Sequence, residues 1–71
     1  MITPQRSELL QIIHEISELY PEMRLGQLIT NLASMAIGPT PEGIWDAEDD
    51  ELLNAARELA ANLRTRAANV V

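Results

Sequence analysis

The sequence predicts an all-α protein, a small three-helix bundle forming a single domain over residues 1–71, and three observations lead there. Apolar residues recur at spacings of three and four in three separate stretches, the period of a helix with one buried face. Leu, Ile, Ala, Glu, Gln and Arg dominate the composition, most of them good helix formers. Phe is absent, Trp45 and Tyr20 are the only aromatics, and β-branched residues do not alternate with polar ones over any length, so strands are not indicated.

The first helix is expected over 4–20. Thr3 is placed to cap it, Pro4 presets the backbone of its first residue, and Leu9, Ile12, Ile13, Ile16, Leu19 and Tyr20 form its stripe, with Leu10 to one side. Glu8, Glu15 and Glu18 fall largely opposite that stripe and are expected in solvent. Pro21 forbids a simple continuation and forces a corner, but it suits the first position of a second helix, expected over 21–36. Leu25, Leu28, Ile29, Leu32 and Ala36 give that helix its apolar face, and Gly38 followed by Pro39 ends it. Residues 37–45 hold two Gly and two Pro without periodicity and read as the one real loop. Ile44 and Trp45 inside it are expected to fold back over the helices as a plug. The third helix is expected over 47–68, with Asp46 as N-cap, Asp49 at N3 and further carboxylates in the first turns, where the helix dipole favours them. Leu52, Ala56, Leu59, Leu63, Ala67 and Val70 repeat as a heptad-like seam, widened by Leu53 and Ala60. The tail over 67–71 is expected to fray.

Size and charge then limit the function. A chain of 71 residues buries only roughly 60% of its unfolded surface, so its stability is marginal and a partner would help it. There is no Cys, which removes disulfides and thiolate metal sites. Eleven Asp and Glu against five Arg, with no Lys, give a net charge of -6, which repels phosphate backbones and gives no cationic face for anionic lipid. Direct nucleic-acid binding and membrane binding are therefore not expected, and a charge-steered partner would be basic. No apolar run approaches a membrane span and the N-terminus lacks a signal-peptide pattern, so the default location is cytoplasmic.

The chemistry of catalysis leaves little trace. His14 has Glu18 one turn later, but no Cys exists, Ser7 lies about two turns away, and a structural histidine is the favoured reading. No enzyme, cofactor or metal is expected. The acidic run at residues 46–51 lacks the alternate ligand spacing and central Gly of a calcium loop, so calcium and zinc are expected to leave the melting temperature unchanged. Arg24, Gln27 and Asn31 share one strip of the second helix. Arg24, a cation near a helix N-terminus, is expected to pair with a carboxylate of residues 46–50. It would then form a structural latch of Arg24, Gln27, Asn31, Trp45, Asp46 and Asp49, with Gln27 and Asn31 satisfying backbone groups of the loop.

Two stretches also carry a resemblance. Tyr20-Pro21-Glu22-Met23-Arg24-Leu25-Gly26-Gln27-Leu28 and Ile44-Trp45-Asp46-Ala47-Glu48-Asp49-Asp50-Glu51-Leu52 resemble short uncharacterised bacterial and phage proteins. Those share a Pro-x-x-Arg-x-Gly-Gln segment and a later aromatic, then Glu-Asp, then Leu; Leu25 departs from the pattern, where an aromatic is common. The resemblance implies no activity.

Two functional readings follow from the residues. The preferred one is a non-enzymatic protein–protein interaction module, a homo-oligomer or a minor subunit of a larger complex, using Leu52, Ala56, Leu59 and Leu63 as its interaction seam. The other is an acidic inhibitor that imitates nucleic acid by presenting Glu42, Asp46, Glu48, Asp49, Asp50 and Glu51 to a basic groove. Salt separates them, since a charge mimic loses its partner as ionic strength rises and an apolar interface barely responds.

Overall fold

The structure, a computed structural model, describes residues 1–40 and 42–69 and is all-helical. Pro41 of the expected loop, the seam position Val70 and Val71 of the tail lie outside the described residues. Four helices follow one another: α1 (Pro4–Leu19), α2 (Leu25–Ile37), α3 (Gly43–Asp46) and α4 (Asp49–Asn69).

α1 starts as its sequence requires. Thr3 is extended, its Oγ1 accepts from the Arg6 N–H at 3.2 Å, and Pro4 follows without an N–H of its own to satisfy. α1 ends at Leu19, and the Tyr20 N–H still donates to the Ile16 carbonyl at 2.8 Å.

α2 begins four residues later than the sequence suggests. Pro21 does not open the helix, because residues 20–23 close a turn in which the Met23 N–H donates to the Tyr20 carbonyl at 3.2 Å. Arg24 becomes the N-cap residue, and its backbone N–H donates to Gln27 Oε1 at 3.0 Å. Gln27 thus secures its own helix start, not the loop. α2 stops at Gly38, whose φ of 110° is a conformation that side chains with a Cβ rarely adopt.

The loop contains a helical turn that its sequence hides. α3 is closed by the Asp46 N–H on the Glu42 carbonyl (3.0 Å) and the Ala47 N–H on the Gly43 carbonyl (3.1 Å). Those bonds commit the backbone of Asp46 to α3, so it does not cap α4. Glu48 takes that position: its N–H donates to Glu51 Oε1 at 2.9 Å, and the Leu52 N–H donates to the Glu48 carbonyl at 3.0 Å. Asp49, Asp50 and Glu51 still fill the first turn, as the dipole favours.

α4 is the central helix. It packs on both α1 and α2, α3 packs on α2, and α1 and α2 make little direct contact. Leu9 and Ile16 of α1, Leu28 and Leu32 of α2, and Leu53, Ala55, Ala56, Ala60 and Leu63 of α4 form one buried cluster. Leu52 and Leu59 are half-buried against it. The seam of Leu52, Ala56, Leu59 and Leu63 is therefore the inner face of α4, covered by the chain's own helices, and does not stand open to a partner. Leu25 also departs from expectation, 61% exposed at the corner where α2 begins, and Leu10 is exposed off the α1 stripe as its position suggests.

Ion pairs fix the register of α1 on α4. Arg57 grips Glu8 in a two-bond fork, Nε to Oε2 at 2.9 Å and Nη2 to Oε1 at 2.8 Å, and Arg64 grips Glu15 in the same way. Both pairs span 49 positions, so the two helices run parallel, and Arg6 Nε to Asp49 Oδ2 at 2.9 Å closes the same edge. Glu8 and Glu15 thus face a neighbouring helix; only Glu18 keeps to its own helix, pairing with His14 at 2.6 Å. The offset of seven residues on both helices repeats the geometry of charges flanking a coiled-coil seam.

The Arg64 hydrogen bonds hold the Glu15 carboxyl below the ordinary carboxylate range, against a smaller opposing effect of desolvation. A group whose folded pKa is depressed contributes stability that is intact above its unfolded pKa and is lost as pH falls through the folded one. The stability gap between the wild type and Glu15→Gln should therefore be largest near neutral pH and close as pH drops below the ordinary carboxylate range. Thermal melts across that range check it; a gap that stays constant with pH would remove Glu15 from the acid response.

Candidate interaction site

The candidate site is the corner formed by α3 and the end of α2. Gly43 is buried, and a Cβ there would meet the Gly38 carbonyl and Ile37 Cγ1, each at 3.4 Å. This position of the turn therefore rests directly on the end of α2. A helix that buries position 43 turns position 45 to the far side, because two residues advance the direction by about 200°. Trp45 accordingly stands 75% exposed, with Ile44 at 43%. The expected plug is thus corrected. Gly43 seats the turn on α2, while the indole faces water.

Carboxylates flank the indole in the chain. Glu42, three positions before Trp45, shares its side of the turn, and Asp46 follows Trp45 directly. Both are exposed, as are Glu48 and Asp50 on the approach to α4. Asp49 is neutralised by Arg6, and Glu51 is occupied by the Glu48 N–H. Among the described residues no cation pairs with Glu42, Asp46, Glu48 or Asp50, and the arginines found in ion pairs are Arg6, Arg57 and Arg64.

The latch is not assembled. Arg24 enters none of the ion pairs among the described residues; Asn31 Nδ2 lies 3.5 Å from Met23 Sδ; Asp46 faces solvent. The cost of a cation at the start of α2 is small because Arg24 is exposed, so water screens it where a paired carboxylate was expected. Arg24→Ala should then cost a few tenths of a kcal/mol, as surface substitutions do. A loss above about 2 kcal/mol in denaturant titrations would restore a structural role for the side chain.

Two surface depressions lie away from the indole. One is lined by Tyr20, Glu22, Met23, Gly26, Gln27, Thr30 and Asn31, all exposed except the half-buried Met23; the other lies between Gln5, Arg6 and the start of α4. His14 and Glu18 are both largely exposed and lie in neither depression. Among the described residues no group of three His, Cys, Asp or Glu stands close enough to hold a metal ion, and no helix is long and apolar enough to cross a membrane.

The exposed indole gives a direct optical check. Native Trp45 emission should lie at long wavelength and be quenched by acrylamide almost as in the unfolded chain, and caesium should quench it better than iodide because the surrounding carboxylates attract the cation. Trp45→Ala should leave the melting midpoint within about 3 °C of the wild type. Blue-shifted, protected emission would mean that the indole is covered.

Two features of the site are not local to the sequence. The outward turn of Trp45 depends on how position 43 seats on α2, and the pairing of Glu8 and Glu15 depends on which helix lies beside α1. Only the second left a readable signal, the shared spacing of seven in 8/15 and 57/64. Compared with protein-family models, with curated proteins and with solved structures, the chain matches none.

Proposed function

We propose that the protein is a non-enzymatic protein–protein interaction module, a minor subunit that docks on another protein through the α3 corner. The observation that carries this reading is Trp45, 75% exposed on a turn whose position is fixed by Gly43. Tryptophan is highly buried on average in folded proteins and is among the residues most enriched at the energetic centre of interfaces. Ile44, next to it in the chain and 43% exposed, extends the apolar surface. The heptad-like seam of α4 supports a partner less than its spacing suggests, since α1 and α2 already cover it.

Both stretches that resemble short bacterial and phage proteins border surface features, one the Tyr20 to Asn31 depression and the other the Trp45 corner. The second reading, an acidic mimic of nucleic acid, draws on the exposed carboxylates at that corner but has no use for the indole.

The test compares what the wild type, Trp45→Ala and a Leu10→Ala control retain from native-host extract. Proteins held by wild type and the control but lost with Trp45→Ala support the module. Identical sets from all three remove the corner from the interaction. Proteins held by wild type and Trp45→Ala alike but released by moderate salt favour the mimic.

A further inference from the structure

We infer that the partner at the α3 corner is a different protein whose apolar pocket is rimmed by Arg or Lys, and not a second copy of this chain; this rests on the interaction module proposed above. The argument is one of charge complementarity. Trp45 sits between Glu42 and Asp46 on one turn, with Glu48 and Asp50 on the side leading into α4. Among the described residues none of these four carboxylates has a cationic partner.

A two-fold contact between copies would set the same carboxylates against each other, because such an interface uses one patch on both sides. Like charges facing across an interface exclude wrong partners at a cost of several kcal/mol. Nor does the rest of the chain offer a basic counterpart. Of five arginines, Arg6, Arg57 and Arg64 are held in ion pairs, and Arg24 at the start of α2 and Arg66 near the end of α4, which enter no ion pair among the described residues, sit on separate helices.

Carboxylates without cationic partners likewise repel phosphate backbones and anionic lipid. A protein face with a pocket for the indole and cations at its rim answers both halves of the surface. The pocket supplies residence time, and the rim steers encounter and sets the register.

The experiment uses the full chain and two synthetic probes: a short amphipathic helical peptide of leucine and arginine, and its twin with glutamate at every arginine. Binding is followed by calorimetry and by Trp45 emission. The arginine peptide should bind saturably and shift the emission to the blue, and its affinity should fall roughly tenfold or more between low and high salt. The charge-neutral pair Glu42→Gln with Asp46→Asn should weaken it by a comparable factor while keeping the blue shift at saturation.

Equal binding of the glutamate twin, with a blue shift, overturns the basic partner and leaves the apolar module standing. Calorimetric binding of the arginine peptide by Trp45→Ala as tightly as by wild type reduces the attraction to diffuse charge and overturns both. Binding of neither peptide overturns the inference, as does a blue shift of Trp45 with rising protein concentration accompanied by dimer mass in sedimentation equilibrium.

Discussion

Leu32→Ala should bring the protein close to unfolding at ambient temperature. Leu32 is 1% exposed and belongs to the cluster in which α2 meets α4 and the α1 residues Leu9 and Ile16. Truncating a leucine at such a site removes its transfer free energy and leaves a cavity, together about 2–5 kcal/mol. At the usual ~0.05–0.15 kcal/mol per residue, a chain of this size holds only about 4–10 kcal/mol in total. The midpoint should drop by about 10 °C or more, since each kcal/mol moves it by about 4–8 °C in so small a domain. Leu25→Ala, the same chemical change on the same helix at an exposed position, should cost well under 1 kcal/mol. Equal costs at the two positions, read from chemical denaturation, would mean that α2 buries a different face.

The second large effect is expected from adding volume. Ala60 is fully buried, with no measurable exposure, and it sits three positions after Arg57 and four before Arg64, on the side of α4 that carries the ion pairs to α1. Ala55, Ala56 and Ala60 keep the inner surface of α4 shallow enough for a helix to approach from each side. Ala60→Leu adds three carbons to a space already filled and should cost about 1–3 kcal/mol through displaced helices. Moving α1 outward would also stretch the Arg64 fork, so the Glu15 carboxyl should titrate closer to its ordinary range. Ala61→Leu, one position along on the exposed side, should be tolerated within about 0.5 kcal/mol. An Ala60→Leu protein with unchanged stability and an unchanged Glu15 titration would indicate that α1 does not rest on this face.

The core was legible because it follows a period. Leu9 with Ile16, Leu28 with Leu32, and Leu53, Ala56, Ala60 and Leu63 all lie on stripes that the spacing of apolar residues marks, and all are buried. The outlines of the elements were less legible where competing hydrogen bonds decide. Asp46 has the chemistry of an N-cap, yet its backbone is taken by α3, and Glu48 with Glu51 does the capping. Pro21 has the chemistry of a helix start, yet a turn at residues 20–23 comes first. The candidate site was the least legible part, because Trp45 has no periodic neighbours to orient it. Hydropathy argues that an indole should go inside. What turns it outward is the seating of position 43 on α2, two residues away, and that contact depends on the surface of α2, which the local sequence does not carry.

The parallel pairing of α1 with α4 bears on how the chain reaches this fold at all. The helix that emerges first finds its main neighbour only when residues some 49 positions later exist, and the intervening helix offers it little to hold in the meantime. An amphipathic helix such as α1 draws most of its stability from the face it packs, and here that face is packed chiefly by α4. Docking of α1 on α4 therefore has to close a long loop, an entropic cost that contacts between neighbours in the chain do not carry. A break in the chain between α1 and α2 would leave α2 and α4 packed on each other while α1 lost its connection to its main neighbour.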